Sequence, residues 1–126
     1  MSLLVVGSIA YDSVETPFGR VEDALGGAAA HFSAAATFFT KVQLVGVVGE
    51  DYDLAALDFL KSRGADLGGI TRARGKTFRW KGRYGFNLNE AETLDTQLGV
   101  FADFRPELPK AYRKAPYVFL ANIHPA

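Results

Sequence analysis

Three short apolar runs recur along the chain without a regular alternation of polar positions. They span Leu3 to Val6, Val42 to Val48 and Tyr117 to Ala121, and each is rich in Val, Leu or Phe. Such runs are typical of strands that are buried on both faces, as in a parallel sheet. The pattern therefore predicts three strands of one central layer.

Helices are predicted between and after these strands. The segment from Ala28 to Phe39 is rich in alanine and holds one β-branched residue, Thr37, so its helix propensity is high. After the second strand, leucines recur at helical spacing, with Asp51 or Asp53 as the cap and Gly64 as the end. These leucines are Leu54, Leu57 and Leu60.

A third, short helix is predicted from Glu107 to Lys114, because Pro106 suits a first helical turn. Strands and helices that alternate in this way imply an α/β layer fold with right-handed crossovers. The chain has 126 residues, which is enough for one domain with a modest core.

Two stretches depart from the layered pattern. Residues 13–24 mix apolar and polar positions and are broken by Pro17 and Gly19. From Thr77 to Phe86 the alternation is cleaner, with aromatic residues on one face and basic residues on the other. Both stretches predict antiparallel strands with one buried face, in a small sheet outside the main layer. The aromatic positions are Phe78, Trp80, Tyr84 and Phe86, and the basic ones are Arg79, Lys81 and Arg83.

Composition narrows the classes of function. Acidic and basic residues balance at a net charge of zero, so no overall field favours nucleic acid or a membrane. The chain has no cysteine, which excludes disulfide and thiolate chemistry and favours a reducing compartment. No apolar stretch approaches the length of a transmembrane helix, and the amino terminus lacks the basic region of a signal peptide. A cytoplasmic location is therefore expected.

Residues suited to ligand binding follow the first strand. Asp12 comes just after it, where α/β folds bind ligands, and a carboxylate can accept two hydrogen bonds from a diol. Gly26 and Gly27 precede the first helix, where a bare backbone lets a ligand approach the free N–H groups of the first turn. From position alone, a turn or cap residue is the favoured interpretation of Asp12, and the glycines are alternatively a turn that allows tight helix packing.

Three segments in this order resemble the opening of the ribokinase-like (PfkB) carbohydrate kinase family. They are Gly7 to Asp12 with the pattern Gly-Ser-Ile-x-x-Asp, Gly26 to Ala36 with Gly-Gly-Ala-Ala-Ala-His, and Val45 to Asp51 with Val-Gly-Val-Val-Gly-Glu-Asp. The resemblance continues through residues 63–66 and 77–86. It covers essentially the whole chain but well under half of the family's usual length, so the chain resembles the amino-terminal portion only.

The resemblance implies a fold and an activity. The fold is an α/β, mostly parallel sheet with flanking helices and a small β lid. Residues 1–126 would supply the amino-terminal part of one kinase domain, with lid strands near residues 13–24 and 77–96. The family transfers the γ-phosphoryl group of ATP to a sugar hydroxyl. By resemblance, Asp12 would hold sugar hydroxyls, and Gly26 and Gly27 would give the sugar access to backbone donors.

Three further substrate-binding residues follow from the resemblance. His31 stands where the family commonly has Asn; because it is bulkier and can become charged, the identity of the sugar stays open. His31 is equally interpreted as a helix histidine satisfied within the fold. Asn122 and His124 follow the third apolar strand, where polar groups of the family reach the sugar, or else they form a turn before Pro125.

The family's catalytic segment, Asp-Thr-x-Gly-Ala-Gly-Asp, is absent from this sequence. In the family its last Asp acts as the base toward the sugar hydroxyl, and the glycine-rich helix start stabilises the transferring group. By resemblance, this base would lie beyond Ala126, so no catalytic residue is assigned in the chain. No metal site is assigned either, because the two histidines lack metal-ligand spacing. ATP and Mg²⁺ are implied for the complete enzyme, whereas the chain alone is predicted to bind neither and to be inactive.

A chain that lacks the rest of the sheet is expected to leave an apolar edge uncovered. The expected partners are a small sugar or nucleoside, and either the missing carboxyl-terminal half or a second copy. Homo-oligomers would form through the lid or the exposed sheet edge, with no membrane contact. Two other functions stay open: a catalytically inert sugar- or nucleoside-binding or assembly module, and, less favoured, a single-stranded nucleic-acid binder using the basic and aromatic residues of 72–86.

Overall fold

The strands divide between two four-stranded sheets in the computed structural model, which describes residues 2–123. In chain order the elements are β1 (Ser2–Val6), β2 (Ala10–Thr16), β3 (Gly19–Gly26), α1 (Ala28–Ala36), β4 (Lys41–Val48), α2 (Asp58–Ser62), β5 (Asp66–Arg72), β6 (Phe78–Tyr84), β7 (Ala91–Gln97) and β8 (Tyr117–Leu120). The central sheet has the order β5-β4-β1-β8, and all its neighbouring strands are parallel. The predicted α/β class with a parallel central sheet is confirmed.

Two strands of the central sheet differ from the sequence expectation. The apolar runs do not predict β5, because Gly68 and Gly69 interrupt it with residues of low strand propensity. β8 forms where predicted but is not buried on both faces, because all four of its residues are exposed. Within residues 2–123 it also pairs only with β1. Leu120 in this strand is 68% exposed. In the part of the chain that the structure describes, β8 is thus an uncovered apolar edge.

The first helix is shorter than its alanine-rich sequence predicts. α1 ends at Ala36 with Thr37 as its C-cap, and Phe38 and Phe39 lie beyond it as exposed side chains. The β-branched Thr37 and the two aromatic residues have weaker helix propensity than the alanines before them, so the helix ends there.

The second helical segment begins as a 3₁₀ turn, Leu54–Leu57, and continues as α2. Asp53 caps it, because its Oδ1 accepts a hydrogen bond from the Ala55 N–H at 3.0 Å. Leu57 and Leu60 are fully buried, and Gly64 ends the segment with a φ of +88°. Within residues 2–123 no helix has the length and apolarity that crossing a membrane would require.

The predicted third helix is wrong in extent. Only Lys110–Lys114 is helical, as a 3₁₀ turn, and Pro109 rather than Pro106 precedes it. Pro109 carries no N–H and disfavours a helical conformation in the residue before it, so a helix starting at 107 is interrupted. The turn buries Tyr112, whose hydroxyl donates to Asp66 Oδ1 at 2.6 Å and fastens this segment to β5.

Alternating side chains of β1 build a core on each face of the central sheet. Leu3 and Val5 pack with the larger buried cluster, which includes residues of α1 and α2. Leu4 and Val6 face the other way and pack with Tyr112. Burial on both faces accounts for the continuous apolar run in the sequence.

The second sheet has the order β3-β2-β6-β7 and is called the lid sheet below. The predicted antiparallel pairing is right within the β2–β3 and β6–β7 hairpins but wrong for the middle pair, since β2 and β6 run parallel. Phe78 and Trp80 are half-buried, whereas Phe86 lies beyond the end of β6 and is exposed, so the predicted buried aromatic face does not form as a whole.

Candidate functional site

The turn between β3 and α1 lies against the first residues of β2. Ala10 pairs with Gly26 across the hairpin, and Asp12, two positions on, lies on the same face of the strand. The Asp12 carboxylate lies so close over Gly26 that a Cβ there would overlap it, and it accepts a hydrogen bond from the Gly27 N–H. The two sequence motifs therefore meet in one place, although Asp12 lies inside β2 rather than in a loop after β1.

Opposing effects act on the ionisation of Asp12. Burial raises the pKa of its carboxyl above the ordinary value of 3.8, while the charge of His31 and the hydrogen bond from Gly27 lower it in part. His31 lies in the first turn of α1 and is exposed. A carboxylate has about four acceptor sites, more than one backbone N–H can fill, so Asp12 is suited to accept ligand hydroxyl groups.

Gly27 takes the chain from β3 into α1 in a conformation that favours glycine. Its φ is 96° and its ψ is 139°, a region that L side chains rarely enter. A Cβ at this position would also overlap the carbonyl oxygen of Ser8, in the turn after β1. The close approach of two backbone segments therefore accounts for the glycine at the start of the helix.

Ser8 joins the start of α1 to the end of β8, and sequence reasoning does not single it out. Its buried hydroxyl accepts the Ala28 N–H at 2.9 Å and donates to Asn122 Oδ1 at 2.6 Å. Its carbonyl oxygen accepts the Ala29 N–H at 3.0 Å. The N–H groups predicted to be free for a ligand are thus engaged within the chain at Ala28, Ala29 and Gly27. The sequence signal that could have identified Ser8 is a small polar residue shortly after a buried strand.

The remaining predicted site residues have different outcomes. Asn122 follows β8, contacts Ser8 and is exposed, so it borders the same junction. His31 also borders the junction, because its charge acts on Asp12. His124 and Ala126 lie outside the described residues. The contact of His124 with a ligand, and the position of the catalytic base beyond Ala126, therefore stay predictions.

Trp80 is the residue of β6 that pairs with Asp12 of β2. Paired residues of neighbouring strands carry their side chains on the same face, so the indole and the carboxylate share one face of the lid sheet. The indole covers Gly82, which leaves room for it, and its Nε1 donates to Thr93 Oγ1 at 3.3 Å. Asp12 and an aromatic ring therefore share one face of the lid sheet, with the ring lying over Gly82 on the β7 side of β6; such a ring is suited to the apolar face of a sugar or a base.

The loop after β4 contacts the lid sheet through Asp51. Its Oδ1 accepts both the N–H and the hydroxyl of Thr77, each at 2.8 Å, and Thr77 Oγ1 accepts the Gly49 N–H at 2.9 Å. Burial alone would raise the pKa of the Asp51 carboxyl, but the Thr77 hydrogen bonds and the charge of Arg79 lower it below its ordinary value. Asp51 is therefore a connector between the sheets, and Asp53 is the helix cap.

Three arginines of the basic run 72–83 are engaged within the chain. Arg72 donates to three backbone carbonyls of the loop after β4. Arg79 forms ion pairs at 2.9 and 2.7 Å with two aspartates. Arg83 pairs with Glu15 at 3.5 Å and lies 4.0 Å from a carboxylate oxygen of Glu92. These partners reduce the positive charge that the run offers to a nucleic acid.

The junction at the start of α1 does not fit a phosphate group of ATP or its metal. Across residues 2–123, no group of three His, Cys, Asp or Glu side chains is arranged to hold a metal ion. A helix start can bind phosphate, but at α1 the N–H groups bind Ser8 and Asp12, and the Asp12 carboxylate repels an anion. The junction suits a neutral polyol better than a phosphate.

Comparison with solved structures relates this fold to kinases. The chain matches a ribokinase from Cryptococcus neoformans var. grubii serotype A, solved in complex with ADP, with a TM-score of 0.74 and 19% identity. The match covers 94% of this chain and 41% of that one. A nucleoside kinase from Methanocaldococcus jannaschii, an archaeal member of the ribokinase family, gives a TM-score of 0.68 and 15% identity over 94% of this chain and 44% of that one.

A third match is a nucleoside kinase from Burkholderia thailandensis in complex with inosine. Its TM-score is 0.64 at 18% identity, over 79% of this chain and 37% of that one. No protein-family model and no curated protein matches the chain. The chain therefore has a ribokinase-like fold, as its motifs predict, and it spans less than half the length of these kinases. At these identities the matches establish the fold.

Proposed function

We propose that this chain forms the acceptor-binding part of an ATP-dependent kinase that phosphorylates a hydroxyl of a sugar or a nucleoside. The observation that carries the proposal is the junction of Asp12, Gly26 and Gly27 on the face of the lid sheet that also carries Trp80. A carboxylate with acceptor sites left for hydroxyl groups and an aromatic ring on the same face of the sheet together match a polyol with an apolar face.

The structural matches support this class of acceptor. They include a ribokinase and two nucleoside kinases, one of them in complex with inosine. Because the chain spans about two fifths of the length of the ribokinase and lacks the Gly-Ala-Gly-Asp segment, phosphoryl transfer is proposed for the complete enzyme only. ATP and Mg²⁺ would be bound there, in the cytoplasm, and the chain alone is expected to transfer no phosphate.

A titration monitored by tryptophan fluorescence tests acceptor binding. Trp80 is the single tryptophan of the sequence and pairs with Asp12, so its emission reports on the junction. A panel of pentoses, hexoses and nucleosides is expected to give a saturable change with one class of compound. Asp12→Asn should weaken that affinity by about tenfold or more, the cost of losing a charge-assisted hydrogen bond. Asp58→Asn, an exposed position on α2, is the matched control.

Two results would contradict the proposal: no response to any compound of the panel, or an Asp12→Asn variant that binds the acceptor as tightly as the native chain. Transfer is tested separately. Sequencing the gene downstream of Ala126 tests for a Gly-Ala-Gly-Asp segment, and a protein that contains it is assayed with MgATP and the bound acceptor. If an acceptor binds but no such segment exists, the chain is the inert binding module instead.

A further inference from the structure

The lid sheet and the central sheet are joined by an ion-pair cluster that the proposed acceptor site does not use. Arg79 of β6 contacts Asp51, in the loop after β4, at 2.7 Å through Nη2. Through Nη1 it contacts Asp23 of β3 at 2.9 Å. Its guanidinium carbon also lies 4.9 Å from the ring centroid of Tyr11 in β2. One side chain therefore contacts three strands or loops that come from distant parts of the chain.

The position of Arg79 in the strand register gives this cluster its significance. Arg79 pairs with Tyr11, and the next pair along the same two strands is Asp12 with Trp80. Successive residues of a strand point to opposite faces, so Arg79 and Tyr11 lie on one face, and Asp12 and Trp80 lie on the other. Contacts that hold Arg79 and Tyr11 against the central sheet therefore also fix the orientation of Asp12 and Trp80.

Tyr11 adds a second contact to the same loop. Its hydroxyl accepts the Asp53 N–H at 3.0 Å, and its ring centroid lies 4.9 Å from that of Tyr52. Residues 51–53 therefore contact both members of the Arg79–Tyr11 pair. The loop is fixed in turn to β4, whose last residue, Val48, is fully buried.

We infer that Arg79 is a positioning residue for the acceptor site. With Asp51 it forms a latch that holds β2 and β6, and hence Asp12 and Trp80, at a fixed orientation to the start of α1. The side chains of Arg79 and Asp51 are 27% and 26% exposed, whereas that of Asp23 is 58% exposed. Because solvent screens the Asp51 pair less, that contact dominates the latch.

The effect of Arg79 on acceptor binding rests on the proposed function, whereas its role in holding the two sheets together does not. Arg83 provides a matched control, because it is also an arginine of β6 that forms ion pairs with carboxylates. Its partners, Glu15 and Glu92, belong to β2 and β7. Removing Arg83 therefore breaks contacts within the lid sheet and leaves the connection to the central sheet in place.

The first measurement needs no ligand. The chain has no cysteine and one tryptophan. A Lys61→Cys variant can therefore be labelled on α2 with a single dye that takes up excitation energy from Trp80. Time-resolved transfer is expected to give one narrow distance distribution in this background and in its Arg83→Gln variant. Arg79→Gln and Asp51→Asn should broaden it. The same narrow distribution in Arg79→Gln would overturn the latch.

A more conservative variant separates the loss of the ion pairs from unfolding of the chain. Arg79→Lys keeps the charge but can contact only one carboxylate well, so a distribution of intermediate width is expected. Far-UV circular dichroism should be unchanged in this variant. A width in folded Arg79→Lys equal to that of the background would contradict the role assigned to the guanidinium group.

The second measurement is the affinity for the sugar or nucleoside that the fluorescence titration identifies. Arg79→Gln should weaken it by about three- to tenfold, while Arg83→Gln should leave it within about twofold. A broadened distance distribution with unchanged affinity would overturn the positioning role. If the native chain binds no compound of the panel, the proposed function fails, and the distance measurement still decides whether the latch exists.

Discussion

A Ser8→Ala substitution removes the hydroxyl that joins the start of α1 to the residue after β8. Two hydrogen bonds are lost, one from the Ala28 N–H at 2.9 Å and one to Asn122 at 2.6 Å. Each such bond contributes about 1 kcal/mol net, so the variant should lose about 2 kcal/mol of unfolding free energy. Ser8 itself is fully buried, which hinders water from replacing the missing oxygen.

Urea unfolding followed by circular dichroism measures this loss. With a denaturant dependence of about 1.5 kcal/mol per molar urea, the midpoint should fall by about 1 M. Ser13→Ala is the matched control, because the Ser13 hydroxyl also accepts a backbone N–H, that of Asp23 at 3.0 Å, but at an exposed site of the lid sheet. It should cost about 0.5 kcal/mol. Equal midpoint losses in both variants, at one protein concentration, would refute the reasoning.

Three further predictions concern the same junction and the sheet edges. Gly27→Ala should lower the unfolding free energy measured in urea by about 3 kcal/mol, because it adds steric overlap with Ser8 to backbone strain. Gly64 has a similar φ but open space around it, so Gly64→Ala should lower the unfolding free energy by about 1 kcal/mol, and equal losses in the two variants would contradict this. Burial raises the pKa of Asp12, so the native chain should lose stability relative to Asp12→Asn as the pH rises from 3.8 through the raised pKa; a stability difference between the two that stays constant over this pH range would argue against it. The native chain should self-associate in gel filtration. Val118→Lys at the β8 edge should abolish self-association if the sheet edge is the interface, and Val21→Lys should abolish it if the lid sheet is the interface. A monomeric native chain would exclude both interfaces.

Features that depend on local pattern could be predicted from the sequence. The predominantly apolar residues of β1 and β4 follow from burial on both faces of a sheet. Gly26 and Gly27 indicate the start of α1, because Gly27 has a positive φ and a Cβ at either position would overlap neighbouring atoms. The alternation in residues 77–86 likewise predicts a strand with two different faces.

Features that depend on distant contacts could not be predicted. β5 is held between β4 and the Tyr112 turn, and this packing compensates for the low strand propensity of its glycines. Ser8 caps a helix that begins far along the chain from it, so no local capping motif marks it. Asp51 precedes a helix and fits a cap in sequence, yet it binds Thr77, just before β6, and Arg79 within β6 of the lid sheet.

The parallel pairing of β2 with β6 has a consequence for the order of folding. Ala10 pairs with Phe78, and α1, β4, α2 and β5 all lie between these two strands in the chain. Such long-range pairing slows folding, because the intervening loop must close before the contacts can form. During synthesis, the hairpin that carries Asp12 leaves the ribosome with one edge unpaired until β6 has been made. The face of the lid sheet that carries both Asp12 and Trp80 is thus completed late, and a truncation before β6 would expose that edge to aggregation.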